Sequence, residues 1–298
     1  MFATLMGDGN NGGGGGDGSG GGSGGGGYGD NDNPIIGGND GPCTPNGVLT
    51  GPQIPNDDIG MNPCGGGIPT IPNVENPPTP CEKLKDLLTP SKANLKPLIT
   101  NGMFSYINSG NKGEAGLYLR KDSAGNITTE IAPPSDTLSL PPKWGTSYYS
   151  MAHTHPKIAY PMFSYSDMMV LYNLEMKAYQ YNNGHTSFLL VCEDENGVKQ
   201  TYAIVFENIG QQVEDVWANP ENIGLEPKQI VEKMDKAFKD KYDTESEKSN
   251  PNYERVFLQL NFGTNIGLYK ASSDLTNWSK LTISENSDTA VVTPVNCN

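Results

Sequence analysis

The chain changes character near residue 80, and this change most constrains what it can fold into. Residues 1–80 hold the glycine runs 12–16 and 24–27 and eleven of the 23 prolines. They hold only two aromatic residues, Phe2 and Tyr28. So little apolar surface cannot offset the entropy that a chain loses when it becomes ordered. We therefore predict a disordered tail over 1–80, Gly-rich and then Pro-rich, followed by a single folded domain over 81–298.

Charge divides the chain at the same place. No Lys or Arg precedes Lys83, so the eight acidic residues of 1–80 account for eight of the 14 net negative charges. The rest of the chain has 26 acidic and 20 basic residues. It shows no basic stripe that could neutralise phosphates, which argues against a nucleic-acid partner.

The sequence also argues against a membrane partner. It has no run of 18 apolar residues, and residues 1–6 lack the basic start and long apolar stretch of a signal peptide. We expect a soluble protein that is either cytoplasmic or exported by a non-standard route. The oligomeric state leaves no signal in the sequence.

The sequence does not decide which of the five cysteines form disulfides. They are too widely spaced for a C-x-x-C motif. Cys192 lies in an apolar stretch and is expected to be a buried, inert thiol. The other four could form disulfides in an exported protein, with a pairing that the sequence does not reveal: Cys43, Cys64, Cys81 and Cys297.

Residues 81–298 alternate irregularly between helical and extended patterns. Helices are predicted at 81–88, at 91–100, directly after Ser164 and at 226–242. Strands are predicted at 114–119, 127–131, 147–155, 187–192, 200–206, 255–260, 267–270 and 278–283. Two hairpins and several long connections join them. This order favours an α+β, or mixed α/β, domain with a central mixed sheet flanked by helices.

Two of the three histidines stand two residues apart, at His153 and His155. Side chains at positions i and i+2 of a strand project from the same face, close enough for both imidazoles to bind one ion. Imidazoles and carboxylates are the ligands of many zinc sites. The third histidine, His185, opens a strand alone and is expected to be structural.

Three further residues complete a candidate site, and each has a simpler explanation. Ser164 and Asp167 have the spacing of a capping box, in which a serine and an acid satisfy the first turn of a helix. Glu114 alone resembles a solvated acid at the end of a strand. A metal site is favoured because all five residues occur together in this order.

This arrangement resembles the JAMM motif of the MPN/JAB metallopeptidase family. The family signature is a glutamate on an upstream strand, then H-x-H, seven residues, a serine, two residues and an aspartate. Here eight residues, 156–163, separate His155 from Ser164. The resemblance covers roughly 114–206, and leaves 207–298 as a C-terminal extension. It implies an MPN-like, cytidine-deaminase-like fold.

The resemblance also implies a role for each residue. His153, His155 and Asp167 would bind Zn²⁺ and leave its fourth position open to water, as in catalytic zinc sites. Glu114 would act as general base and then general acid. Ser164 would donate a hydrogen bond to the substrate carbonyl oxygen as it becomes anionic.

The leading functional hypothesis is therefore zinc-dependent hydrolysis of a peptide or isopeptide bond in a peptide or protein substrate. The alternative is a non-catalytic MPN-like scaffold or interaction module, because some members of the family lack the motif. With either function, the domain could belong to a secreted or phage-associated assembly, with the tail as its tether. Family members include proteins that process ubiquitin-like conjugates or bacterial carrier proteins, and proteins of phage tail assembly.

Overall fold

The computed structural model describes residues 78–178, 182, 184–207 and 225–297. The tail that we predict over 1–80 lies outside the described residues, except for its last three. So do Cys43, Cys64 and residues 208–224 of the C-terminal extension. Among the described residues, no helix combines the length and the apolar character needed to cross a membrane.

An eight-stranded mixed sheet forms the centre of the domain. Its strands are β1 (Gly116–Lys121), β2 (Ile127–Ala132), β3 (Tyr148–Thr154), β4 (Ser187–Glu193), β5 (Lys199–Phe206), β6 (Ile266–Ala271), β7 (Trp278–Thr282) and β8 (Thr293–Asn296). They lie in the order β2-β1-β3-β4-β5-β6-β7-β8. Among the strands described, only β3 and β4 pair in parallel. The mixed α/β class expected from the sequence is thereby confirmed.

The described helices cover both faces of this sheet. They are α1 (Pro80–Leu88), α2 (the helical turns Leu95–Pro97, Leu98–Met103 and Phe104–Asn108), α3 (Tyr165–Lys177), α4 (Pro227–Ser246) and α5 (Tyr253–Leu260). Helices α1 and α2 pack on one face, where Leu84 and Ile99 are fully buried. Helices α3, α4 and α5 pack on the other, around Leu171, Phe238 and Phe257.

Strand alternation assigns neighbouring residues to the two cores. Tyr118 of β1 belongs to the core under α3, whereas Leu117 and Leu119 belong to the core under α1 and α2. In β3, Met151 points towards α3 and Ala152 points away from it. Because side chains alternate along a strand, this register places the next residue of β3, a histidine, on the α3 face.

Most predicted elements are present, with one clear error. The segment predicted as a strand at 255–260 is the helix α5. The side chain of Asn252 accepts a hydrogen bond from the Arg255 amide and so caps the first turn. The buried residues Val256 and Phe257 then lie on the inner face of the helix, and their β-branched and aromatic character misleads a prediction based on residue type.

A disulfide joins the two ends of the domain. Cys81, in the first turn of α1, is bonded to Cys297, which follows β8. The two cysteines are 216 residues apart in the sequence. Cys192 is a buried free thiol, as predicted.

Candidate metal centre

Strand β3 delivers the two histidines to the point where helix α3 begins. His153 is the penultimate residue of β3, between Gly116 of β1 and Leu190 of β4. His155 follows the strand, and its amide donates to the carbonyl of Val191 at 3.0 Å. Because β3 and β4 are parallel, the chain must cross over between them, and α3 makes that crossing. The site therefore lies at the carboxyl end of β3, beside the N-terminus of α3.

Both imidazole rings are held by backbone carbonyls. His153 Nδ1 lies 3.0 Å from the carbonyl oxygen of Leu189, and His155 Nδ1 lies 2.7 Å from that of Tyr160. A carbonyl only accepts, so each Nδ1 carries a hydrogen and each Nε2 is free to act as a ligand. The two Nε2 atoms face each other at 3.0 Å. Two lone pairs at this distance repel unless a positive charge, a proton or a metal ion, lies between them.

Asp167, in the first turn of α3, brings a carboxylate to the same pair of rings. Its Oδ1 lies 3.4 Å from His153 Nε2, and its Oδ2 lies 3.8 Å from His155 Nε2. Ligand atoms about 2.0 Å from a tetrahedral zinc ion are separated from one another by about 3.3 Å. The 3.0 Å separation of the two Nε2 atoms and the 3.4 Å separation of Asp167 Oδ1 from His153 Nε2 are close to that value, while His155 faces the other carboxylate oxygen at 3.8 Å. Two imidazoles and a carboxylate in this arrangement could hold a small cation.

Glu114 lies just before β1 and close to the same histidine pair. Its Oε1 is 3.9 Å from His155 Nε2, and one ligand atom each from Glu114, His153 and His155 lie within 4.8 Å of one another. Burial and the negative charge of Asp167 raise the pKa of Glu114 to about 9, against the lowering effect of a hydrogen bond from the Leu140 amide. This carboxyl group is therefore able to hold a proton beside the site.

Ser164 forms the capping box with Asp167 that their spacing predicts. It is the N-cap of α3, and its hydroxyl oxygen accepts a hydrogen bond from the Asp167 amide at 3.1 Å. In return, its own amide donates to Asp167 Oδ2 at 2.7 Å. The capping box thus fixes the Asp167 carboxylate. Because the serine oxygen accepts in this box, its O–H hydrogen is left to donate elsewhere.

An apolar shell surrounds His153. Its ring stacks on Phe188 with a centroid distance of 4.6 Å and an interplanar angle of 6°. Burial lowers the pKa of His153 to about 4, which favours the neutral ring that binds metals. Phe163 and Tyr165, which flank the serine, are both buried in the core. They do not line an open groove.

Two glycines allow a loop to close over Glu114. The segment after β2 returns to Glu114, whose carbonyl accepts from the Ser135 amide at 2.8 Å. A Cβ at Gly113 would lie 1.6 Å from the Ser135 carbonyl oxygen, and a Cβ at Gly116 would lie 2.5 Å from that of Ala152. Backbone atoms occupy both positions, so only glycine fits on either side of Glu114.

We expect Gly113→Ala to lower the free energy of unfolding by about 2–4 kcal/mol, because the added methyl group forces the Ser135 backbone away. Urea denaturation of the full chain measures this effect. Gly102→Ala is the matched control, since a Cβ there meets no atom within 4 Å. Equal stability of the two variants would contradict the close approach at Gly113.

The structure brings together all five residues predicted for the site and separates His185 from them. The ring of His185 lies near Lys121, the last residue of β1, with Nδ1 and Nζ 3.5 Å apart. The carbonyls that hold the two rings cannot be recognised in a sequence, because every residue has one. Gly113 and Gly116 are the sequence signal of the close backbone approach near Glu114.

No protein-family model matches the chain, and a comparison with curated proteins gave no significant match. The function is therefore inferred from the geometry of the described site.

Proposed function

We propose that this protein is a zinc-dependent hydrolase of peptide or isopeptide bonds, with an MPN-like fold. The observation that supports it best is the facing pair of Nε2 atoms, 3.0 Å apart. In each ring, the other nitrogen, Nδ1, is hydrogen-bonded to a backbone carbonyl. The resemblance to the JAMM motif agrees with the order of elements: Glu114, β1, β2, β3 with the histidines, α3 and the β4–β5 hairpin.

The donor set supports a transition metal such as zinc rather than calcium or magnesium. His153 and His155 would bind through Nε2 and Asp167 through a carboxylate oxygen, whereas calcium and magnesium prefer oxygen ligands alone. Three protein ligands are typical of catalytic zinc sites. A zinc ion in such a site supplies Lewis acidity and lowers the pKa of bound water to about 7.

Glu114 and Ser164 would then perform the proton transfer and charge stabilisation of amide hydrolysis. Glu114 lies beside the histidines without belonging to the three ligands, so it can accept a proton from water and pass it to the leaving amine. A positively charged ion nearby would lower its pKa and so favour the carboxylate form that accepts the proton. The Ser164 hydroxyl can donate to the substrate oxygen as negative charge develops there.

Metal binding is the first test, and it needs no knowledge of the substrate. We expect tag-free, full-length protein to bind one equivalent of Zn²⁺ after chelation and reloading, as measured by elemental analysis and calorimetric titration. His153→Ala should weaken binding by more than about 100-fold, since even indirect partners of a metal commonly contribute 10–100-fold. The matched control is His185→Ala, which removes the histidine that lies outside the site.

Two outcomes would contradict the proposal. One is a folded wild-type chain that takes up no metal, which would favour the proton-bridged histidine pair and a non-catalytic scaffold. The other is equal zinc affinity in His153→Ala and His185→Ala, which would place the binding elsewhere in the chain.

A further inference from the structure

The loop between the two halves of the motif is held by helix α4, which belongs to the C-terminal extension. This loop, residues 156–163, connects His155 to Ser164 and contains neither helix nor strand. It ends in the two buried residues Met162 and Phe163. An irregular connection of this kind does not by itself fix the distance between its ends.

The first contact fixes the end of the loop that leads into α3. The hydroxyl of Tyr242, on α4, donates a hydrogen bond to the carbonyl of Phe163 at 2.9 Å. Tyr242 is only 2 % exposed, so water does not compete for this bond. The carbonyl belongs to the peptide unit that continues into Ser164. The bond therefore fixes the backbone directly before the N-cap of α3.

The second contact fixes the peptide that orients His155. The carbonyl of Tyr160 lies 2.7 Å from His155 Nδ1, and the hydroxyl of the same tyrosine donates to Asp243 on α4. The Tyr160 ring also packs against the rings of Tyr242 and Tyr253, with centroid distances of 5.4 and 5.6 Å. The residue that holds the His155 ring is thus itself anchored to α4 and α5.

The third contact fixes the first turn of α3. The amide of Ser166 donates to Asp235 Oδ1 at 2.8 Å, and the Ser166 hydroxyl donates to the other oxygen of the same carboxylate. Ser166 directly precedes Asp167. Asp235 and Tyr242 are seven residues apart, so they lie on the same face of α4, and Asp243 is adjacent to Tyr242 at the edge of that face. This side of α4 contacts the loop at two points and the helix that follows it.

We propose that α4 positions the metal centre, with Asp235, Tyr242 and Asp243 as positioning residues. They fix the separation between His155 on one side and Ser164 with Asp167 on the other, across the eight-residue loop. This inference rests on the proposed function, because it concerns the same metal site. Partners that orient metal ligands commonly contribute 10–100-fold to metal affinity, and these three act one step further out, through the backbone that holds the ligands.

Tyr242→Phe in the full-length chain tests the inference, because it removes one hydroxyl and keeps the ring. We expect the dissociation constant for Zn²⁺ to rise about 10-fold in competition with a chromophoric chelator. The visible spectrum of the Co²⁺-loaded protein should also change, since its shape reports the coordination geometry. A purely structural role would lower the melting temperature without changing that spectrum.

Tyr202→Phe is the matched control. Tyr202 is a buried tyrosine of β5, and its hydroxyl donates to Glu254 at 2.7 Å, so the variant also loses one hydroxyl hydrogen bond. It should retain the wild-type zinc affinity and Co²⁺ spectrum. Tyr160→Phe provides a second test at a less buried position, and should behave like Tyr242→Phe.

The outcomes separate this inference from the proposed function. Wild-type affinity and an unchanged Co²⁺ spectrum in both Tyr242→Phe and Tyr160→Phe would overturn the positioning role, while zinc binding by the wild type would still stand. An equal loss in Tyr202→Phe would also overturn it, because the effect would then be general destabilisation. A wild-type chain without metal would contradict the metal centre itself, and the positioning role with it.

Discussion

Glu114→Gln is expected to abolish hydrolysis while the protein still binds one equivalent of zinc. Glutamine has nearly the same shape as glutamate but cannot take up and release a proton. Loss of general acid–base catalysis should lower the rate by about 10²–10⁴-fold. The measurement is mass spectrometry of a pooled library that contains both peptide and lysine isopeptide bonds. Incorporation of ¹⁸O from labelled water into the new carboxyl groups identifies hydrolysis.

The control for this variant is Glu175→Gln. Glu175 is a buried glutamate on α3, about two turns after Asp167. Its carboxylate accepts hydrogen bonds from the Gly184 amide and the Thr186 hydroxyl. It should retain the turnover of the wild type per folded molecule. Hydrolysis that survives in Glu114→Gln would rule out the proposed proton transfer, even if zinc is bound.

Replacing both disulfide cysteines, Cys81→Ser with Cys297→Ser, is expected to lower the free energy of unfolding by about 4–5 kcal/mol. The bond closes a loop with a sequence separation of 216 residues, and its removal restores a large entropy to the unfolded chain. For a domain of this size, the melting temperature should fall by about 10–15 °C. Thermal and urea denaturation followed by circular dichroism measure the two quantities.

A reductant provides the control for the disulfide prediction. It should lower the melting temperature of the wild-type protein to that of the double variant, and should leave the variant unchanged. If the oxidised wild-type protein and the double variant unfold at the same temperature, the bond between Cys81 and Cys297 does not stabilise the domain.

The strands around the site were predictable because their signals are local. Strands β1, β2, β4 and β5 are short apolar segments separated by turn residues, and β3 is bounded by prolines. The helix α5 was mistaken for a strand, since Val256 and Phe257 suit both structures and the cap at Asn252 lies outside the apolar segment. Strand β8 was missed because all four of its residues are exposed, so it shows no apolar pattern.

The site itself was predictable only in part. The histidine pair and the Ser164–Asp167 capping box are encoded by spacing within a few residues of the chain. The contacts of α4 are not, because Tyr242 bonds to a carbonyl 79 residues away and Asp235 to an amide 69 residues away. Backbone carbonyls and amides have no residue type by which a sequence pattern could mark them. The role of the C-terminal extension at the site therefore emerged only from the fold.

The disulfide between the ends of the domain has a mechanical consequence. Cys81 and Cys297 have Cα atoms only 5.4 Å apart, although they bracket the whole sheet. Tension applied to the chain before Cys81 and after Cys297 would pass through the covalent bond between them. It would not be transmitted along β3 or α3. The metal centre would thus keep its geometry under a pull that would otherwise peel the sheet apart from its β8 edge.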